Sequence, residues 1–442
     1  MSVEQLAQRG VAARVGDVSD AVDRLTDVDL ETSSETDLID AIAGLELLKR
    51  RAEALQARLA VAFDASVRAR QEAAGVRREH VGRGVADQIA LARQESPHRG
   101  MRHLGLAKVL VHEMPSTLAA LQRGDVSEWG ATLVVRETAV LTLEDRREVD
   151  ARLAPTMAAS GVSEKQLGDA ARAMAQQLDP AAAVRRAAKA EADRCVTVRP
   201  APDCMAYVTA HLPVHQGVAV FAALDRAARS AAAQGDPRAR GQVMADALVA
   251  AVTASTSTAP GAPAVTVELV MSDTTLLGDD DAPAVLPGHG PVPAAVARRL
   301  VAGAAEAGRA WVRRLYATPD RTRLVAMESR SRLFPAALSH FLRLADQVCA
   351  TPWCDAPIRH VDHVVPAARG GPTTAANGQG LCAHCNLAKE HTGSVVERRA
   401  GVTTTTTATG HRYDSAPPPL LGLPPPRPSP LEASMRRVLA AA

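Results

Sequence analysis

Aromatic residues are scarce in this 442-residue chain: 3 Trp, 3 Tyr and 4 Phe. So few rings argue against an aromatic stacking platform for single-stranded nucleic acid. The cores must be built from Ala, Val and Leu, which favours closely packed helices. Charge of one sign is also lacking, because 51 basic residues face 49 acidic ones and the net is +2. No global basic field advertises a polyanionic partner, so any such surface is local. The chain shows neither a basic segment leading into an apolar run at its start nor an apolar stretch long enough for a membrane, so secretion and insertion are not expected and the default location is cytoplasmic. In that reducing setting the 6 cysteines are poor disulfide candidates, and their spacing is read first for metal. Lysine is the last scarcity: there are 5 against 46 Arg, and Lys389 is the only one beyond residue 190.

At about 150 residues per domain the length predicts two or three folded units. Residues 1–34 are polar without a clear period and read as a flexible N-terminus. Leu38, Ile42, Leu45 and Leu48, continuing past Leu59, predict a long helix over 36–72. After breaks at Gly75, Gly82 and Gly84, further helices are predicted over 85–95, 97–123, 127–140, 143–158 and 163–177, making 35–190 a helical domain. From 191 to 335 the texture is mixed α/β. Short β-branched runs at 195–198, 205–212 and 265–271 predict strands, with helices over 215–233 and 237–253 between them. A hairpin over 323–327 and 331–334 should lead into a helix over 335–346. The fold class is therefore mainly α with a mixed α+β middle region. Residues 336–400 form a separate C-terminal domain, and 401–442 hold one edge strand, from Thr403 to Thr407 with His411 and Tyr413, and a Pro-rich tail.

Cys349 and Cys354 form one pair, Cys382 and Cys385 another, with 27 residues between them. Two such knuckles can close a tetrahedral zinc site, and four sulfurs leave no open position, so this zinc would be structural. Between the knuckles lie His360, Asp362 and His363, then Gly370-Gly371-Pro372-Thr373 and Asn377; Asn386 and Lys389 follow the second pair. The Asp362 carboxylate and the Asn386 amide oxygen are hard donors suited to Mg²⁺ or Mn²⁺. A neutral histidine beside them can take a proton from water, since its ordinary pKa is about 6.5. Adjacent residues on a regular strand point to opposite faces, so Asp362 and His363 converge only near a strand end, which Pro366 and Gly370 supply. Asn386 and Lys389 are three apart and share a helix face, which brings the ammonium toward a metal-bound phosphate. His360 is placed to contact phosphate or a nearby ligand, His384 should point outward, and His391 should end the helix. Trp353 is expected to seal the first knuckle, and Cys195 and Cys204 to pack as small hydrophobes.

These residues resemble the HNH endonuclease domain, the ββα-metal nuclease fold, in its four-cysteine form, over residues 349–391. The resemblance implies that His363 is the general base and that Asp362 and Asn386 hold the catalytic divalent metal. It further implies that Asn377 braces the loop that orients His363. The last motif position, often histidine, is Asn386 here. Residues from about 35 to 335 resemble the bacterial domain of unknown function 222, through stretches such as Asp64 to Arg70, Glu95 to Gly100 and Gly241 to Asp246. That second likeness implies no mechanism.

The nuclease window is nearly neutral, but residues 298–332 carry 9 Arg against 3 acids. Arg313, Arg314, Arg321 and Arg323 in that stretch are the expected phosphate-tracking side chains, with His360 beside them. A weaker candidate is 85–109, where two short helices with Arg99, Arg102 and Lys108 suggest a helix-turn-helix. The expected function is a metal-dependent DNA endonuclease with structural Zn²⁺, catalytic Mg²⁺ or Mn²⁺, and an N-terminal region for binding or specificity. The alternative is a zinc-stabilised nucleic-acid-binding protein with a latent or inactive nuclease site.

Overall fold

A computed structural model describes residues 10–25, 30–256, 267–278, 280–287, 290–306, 334–389, 393–399 and 401–418. The chain is mainly helical, with small antiparallel sheets from residue 195 onward. The helices are α1 (Val11–Asp23), α2 (Glu35–Ala73), α3 (Val85–Ala92), α4 (Pro97–His112), α5 (Pro115–Arg123), α6 (Glu128–Glu137), α7 (Leu143–Ala158), α8 (Glu164–Leu178) and α9 (Pro180–Ala192). Hairpin β1 (Cys195–Ala201) and β2 (Met205–His211) follows, then α10 (Val214–Ala233), α11 (Arg240–Thr256), α12 (Asp273–Leu277), β3 (Ala284–Leu286), β4 (Gly290–Val292) and α13 (Ala294–Glu306). The last elements are α14 (Ala336–Asp346), β5 (His360–His363), β6 (Gly378–Leu381), α15 (Ala383–Ala388), β7 (Val395–Arg399), β8 (Val402–Thr406) and β9 (Arg412–Ser415). Contacts divide the chain into two compact units, 1–59 with 106–179, and 60–105 with 180–442.

The first unit is a helical bundle whose core is Leu, Val, Met and Ala, including Leu110, Met114, Val134, Val149, Leu153 and Ala171. The scarcity of rings is answered by small side chains that let α6 and α8, and α7 and α5, pack closely. The helix expected over 97–123 is broken at Met114 because Pro115 has no N–H to continue the ladder and starts α5 at its first turn. The orphan donors of that new N-terminus are met from another helix. Asp150 of α7, almost wholly buried, accepts from the backbone of Ser116 at 2.7 Å and of Thr117 at 2.9 Å. The segment expected to be flexible also contains α1, whose Val11, Val15, Val18 and Val22 follow helical spacing and stay exposed.

In the second unit α3 packs on the C-terminal half of α2 and on the start of α4 around Val67, Val85 and Leu104. Gly100 permits this crossing, since a Cβ there would lie 2.3 Å from the Ala86 carbonyl oxygen. The β1–β2 hairpin forms as expected, but Cys195 is exposed at its start, while Cys204 packs beside Ala284 and Val292. The strand expected over 265–271 reduces, among the described residues, to one bridge between Val270 and Val285. Ser272 ends it by capping α12, its hydroxyl accepting from Thr275 N. Residues 323–327 and 331–333 of the expected hairpin lie outside the described residues.

The C-terminal module runs helix, knuckle, strand, strand, helix. β5 pairs antiparallel with β6 in the register His360↔Leu381 to His363↔Gly378. Gly378 and Gly380 let neighbours close on this ribbon, because a Cβ would lie 2.4 Å from Leu342 Cδ1 at the first and 2.4 Å from Ile358 Cδ1 at the second. The threonine run does not form one strand with His411 and Tyr413. A turn at Gly410, with φ of 84°, reverses the chain so that β8 pairs with β9 as well as with β7, giving a three-stranded sheet. Alternate threonines, Thr403, Thr405 and Thr407, are buried. This sheet is tied to the module by Arg398 of β7, which is ion-paired with the buried Asp346 of α14 and donates to the Gly378 carbonyl at 2.7 Å. Asp346 also accepts from Gly380 N at 2.6 Å. Arg398→Ala leaves that carboxylate buried and unpaired, and the expected cost is about 3–5 kcal/mol, read by urea denaturation.

Candidate active site and zinc centre

The knuckle cysteines come together as the spacing predicts. Cys349, Cys354, Cys382 and Cys385 are all buried, with their sulfurs within 4.8 Å of one another. Cys354 Sγ lies 3.8 Å from Cys382 Sγ and 3.5 Å from Cys385 Sγ. Sulfurs about 2.3 Å from a tetrahedral zinc are about 3.8 Å apart, so the quartet fits that ion. The first knuckle turns through left-handed backbone at Trp353, φ 57°, and Cys349 N donates to Ala356 O at 2.9 Å. In the second, Cys382 caps α15 by accepting from Cys385 N at 3.3 Å. Thiol donors on Cys354 and Cys385 hold the Cys349 thiol far below its ordinary pKa, and the nearness of Cys349 pushes both of theirs up. Four thiolates therefore require a cation to share them, and its binding releases protons.

His363 ends β5, where the strand gives way to the loop, and its ring is buried. Nε2 lies 2.9 Å from Thr373 Oγ1, and the ring packs against Phe334 at a centroid distance of 4.5 Å. Nδ1 faces the Asp362 carboxylate at 3.9 Å. Burial lowers the His363 pKa, Asp362 opposes that, and the Lys389 cation adds to it, so the ring is neutral near pH 7. Asn377 ties the intervening loop at both ends: its Oδ1 accepts from Val365 N at 2.8 Å, and its Nδ2 donates to Val365 O at 3.1 Å and Pro372 O at 2.8 Å. Gly371 fits beneath it, since a Cβ there would overlap the Val365 carbonyl. The side-chain hydrogen bonds of Asn377 thus go to the loop.

Asn386 Oδ1 is buried with no hydrogen-bond partner among the described residues. An orphaned amide oxygen on the helix packed against β5 is what a hard-cation ligand looks like before the ion is considered, so the donor set fits Mg²⁺ or Mn²⁺. Lys389 departs from expectation. Its ammonium is ion-paired with Asp362 and donates to the His363 carbonyl at 2.9 Å, which places it on the carboxylate itself. His360 is exposed at the start of β5. His384 does not simply face outward: its Nε2 lies 2.8 Å from Asp87 Oδ1 on α3, and that contact raises its pKa. Trp353 stacks edge-on against Tyr413 of β9 at 5.6 Å. Arg313, Arg314, Arg321, Arg323 and His391 lie outside the described residues. Within the same arginine-rich stretch, Arg298 donates to the carbonyls of Thr275 and Asp280, a structural use and not a free cation for phosphate. The α3–α4 pair exists, but His103 and Arg99 of α4 lie against Glu95, at 2.9 and 3.9 Å.

The family model described as "Domain of unknown function (DUF222)" matches residues 45–346, more than half of the chain. The chain belongs to the DUF222 family. In this DUF222 protein the HNH endonuclease model follows directly, over residues 347–392, and spans the cysteine quartet, Asp362, His363, Asn377, Asn386 and Lys389. No curated protein and no solved structure matches the DUF222 chain. No described helix of it is long and apolar enough to cross a membrane. The side chains that sequence reading missed are Thr373, Phe334, Asp346 and Arg398. Thr373 stood in the quoted loop, but no period tells which loop hydroxyl meets the imidazole. Asp346 and Arg398 are 52 residues apart, and only the fold pairs them.

Proposed function

We propose that this DUF222–HNH chain is a metal-dependent endonuclease that hydrolyses phosphodiester bonds in DNA. The observation that carries the reading is the neutral, buried His363 fixed at a strand end beside Asp362, with the unpartnered Asn386 oxygen on the adjoining helix. An amide oxygen needs no deprotonation to act as a ligand and a carboxylate is ionised at neutral pH, so Asp362 and Asn386 would hold Mg²⁺ or Mn²⁺, which when bound supplies charge to a phosphate and its leaving oxygen. With Thr373 Oγ1 accepting from Nε2–H, the Nδ1 lone pair on the Asp362 side is the one that takes the proton from water. Thr373 and Asn377 are positioning residues. Thr373→Val frees the tautomer and ring angle, and the expected loss is about 10- to 100-fold in cleavage rate at unchanged zinc content.

The domain division follows from this reading: 35–190 and 191–335 are the DUF222 portion, for binding or specificity, 336–400 the nuclease domain, and Arg313, Arg314, Arg321 and Arg323 with His360 the phosphate-tracking side chains. One observation favours the alternative of a latent site, namely Lys389 on the Asp362 carboxylate. The decisive experiment is nicking of supercoiled plasmid by zinc-loaded protein with Mg²⁺ or Mn²⁺, paired with calorimetric titration of Mn²⁺ into wild type and Lys389→Met. Nicking supports the nuclease. Absence of nicking and of Mn²⁺ binding in both proteins, with DNA binding retained, favours the zinc-stabilised binding protein.

A further inference from the structure

Helix α2 has two apolar faces, and the core of the first unit uses one of them. On that side Ala54 is wholly buried, Arg50 donates to the Gly124 carbonyl at 2.8 Å, and a Cβ at Gly124 would overlap Leu47. The other side carries Leu38, Ala41, Leu45, Leu48, Ala52, Leu55 and Leu59. Their spacing alternates between three and four, the roughly 3.5-residue repeat of a coiled-coil seam, sustained over three heptads. From Ala41 to Leu59 every one of these residues is exposed, Leu45 at 48%, Leu48 at 38%, Leu55 at 39% and Leu59 at 38%. The residues flanking the strip, Ile42 and Arg58 among them, are exposed as well, so no described element covers it. Outward helix faces are ordinarily polar. One leucine there needs no account, but a heptad series of them marks an interaction surface.

We propose that this strip pairs with the same strip of a second copy of the chain, as a two-fold antiparallel coiled coil. The sequence of the strip is complementary to itself in one register. Setting Leu38 against Leu55 of the partner subunit and Leu45 against Leu48 of the partner subunit brings Ala41 to Ala52 of the partner subunit, so leucine layers alternate with close alanine layers. Asp37 then lies opposite Arg58 of the partner subunit, and the symmetry makes that pair twice. Lys49 and Arg51 face the uncharged Ile42 and Gly44 of the partner subunit, so no like charges meet. The helix is already held straight against its own bundle, and pairing carries little ordering cost. The rival occupant is α1 of the same copy, whose Val11, Val15, Val18 and Val22 show the same spacing and are also exposed. It offers about 17 Å of seam against about 32 Å on α2, so only another α2 matches the strip in length and period. The strip lies within the first unit, and the proposal is independent of the nuclease reading.

The test is sedimentation equilibrium of the full-length, zinc-loaded protein from low to tens of micromolar. Expected is a shift from the mass of one chain to that of two, with micromolar affinity because three heptads make a small interface. Leu45→Glu combined with Leu48→Glu sets carboxylates against one another at the centre of the seam and should weaken association more than about 100-fold. Both side chains are exposed in the single chain, so the melting temperature of the dilute, monomeric protein should not change. Asp37→Arg and Arg58→Glu should each weaken association about tenfold, and the two together should restore it. A single-chain mass throughout, the outcome if α1 covers the strip, would overturn the proposal. So would a dimer indifferent to the paired glutamates, or single charge reversals that the double exchange does not rescue.

Discussion

His363→Ala lowers plasmid nicking by about 10³-fold, the middle of the range for removal of a positioned general base. The ring is neutral because burial outweighs the neighbouring Asp362, and it is aimed because Thr373 holds Nε2 while Phe334 packs on its face. Alanine removes the base and leaves Asp362, Asn386 and the brace of Asn377 in place. The measurement is the nicking rate of supercoiled plasmid under saturating Mn²⁺, with zinc per chain and melting temperature determined on the same samples. Zinc should be equal in both, since the quartet shares no side chain with the histidine. His363→Asn serves as a second variant that keeps a polar group in the pocket and should be as slow. A His363→Ala protein retaining more than about a tenth of the rate would remove the histidine from the role of base.

Cys385→Ser unfolds the C-terminal HNH module. A hydroxyl is a poor zinc ligand, and structural zinc supplies about 10–16 kcal/mol of apparent binding energy that is folding energy in such sites. The small cluster around the quartet has little else to hold it: Leu381, with Ala350 and Ala356, is its apolar company. Zinc per chain should fall well below one, and limited proteolysis should cut within 334–418. The helical bundle of 106–179 should resist, because its core of Leu110, Val134 and Leu153 is independent of any metal. An intact protease-resistant module in a zinc-free Cys385→Ser protein would mean that the quartet is not structural. Treatment of wild type with a strong chelator should give the same digestion pattern.

Legibility of the sequence varied with the range of the interaction. The knuckle pairs were readable because metal ligands repeat at short spacings set by the turn that carries them, and the long helix α2 was readable because its leucines recur at the helical period. Helix ends were less so: the break at Pro115 depended on a local rule, yet its stability comes from Asp150, 33 to 34 residues away in sequence. The threonine run was misjudged because β propensity says that a segment is extended and nothing of where a glycine reverses it. Lys389 was expected to reach toward phosphate and instead meets Asp362, since an unpaired carboxylate attracts the nearest cation the fold provides.

The amino-acid sequence by itself determined the helical character and the cysteine quartet, because periodicity and ligand spacing are local properties. Tertiary structure alone decided that Thr373 meets the His363 ring, that Asp346 and Arg398 close the module, and that Asn386 is left with a buried, unmet oxygen among the described residues. Those are long-range pairings in three dimensions, and a buried polar group declares its need for a partner only when the chain has folded and water has been removed from around it.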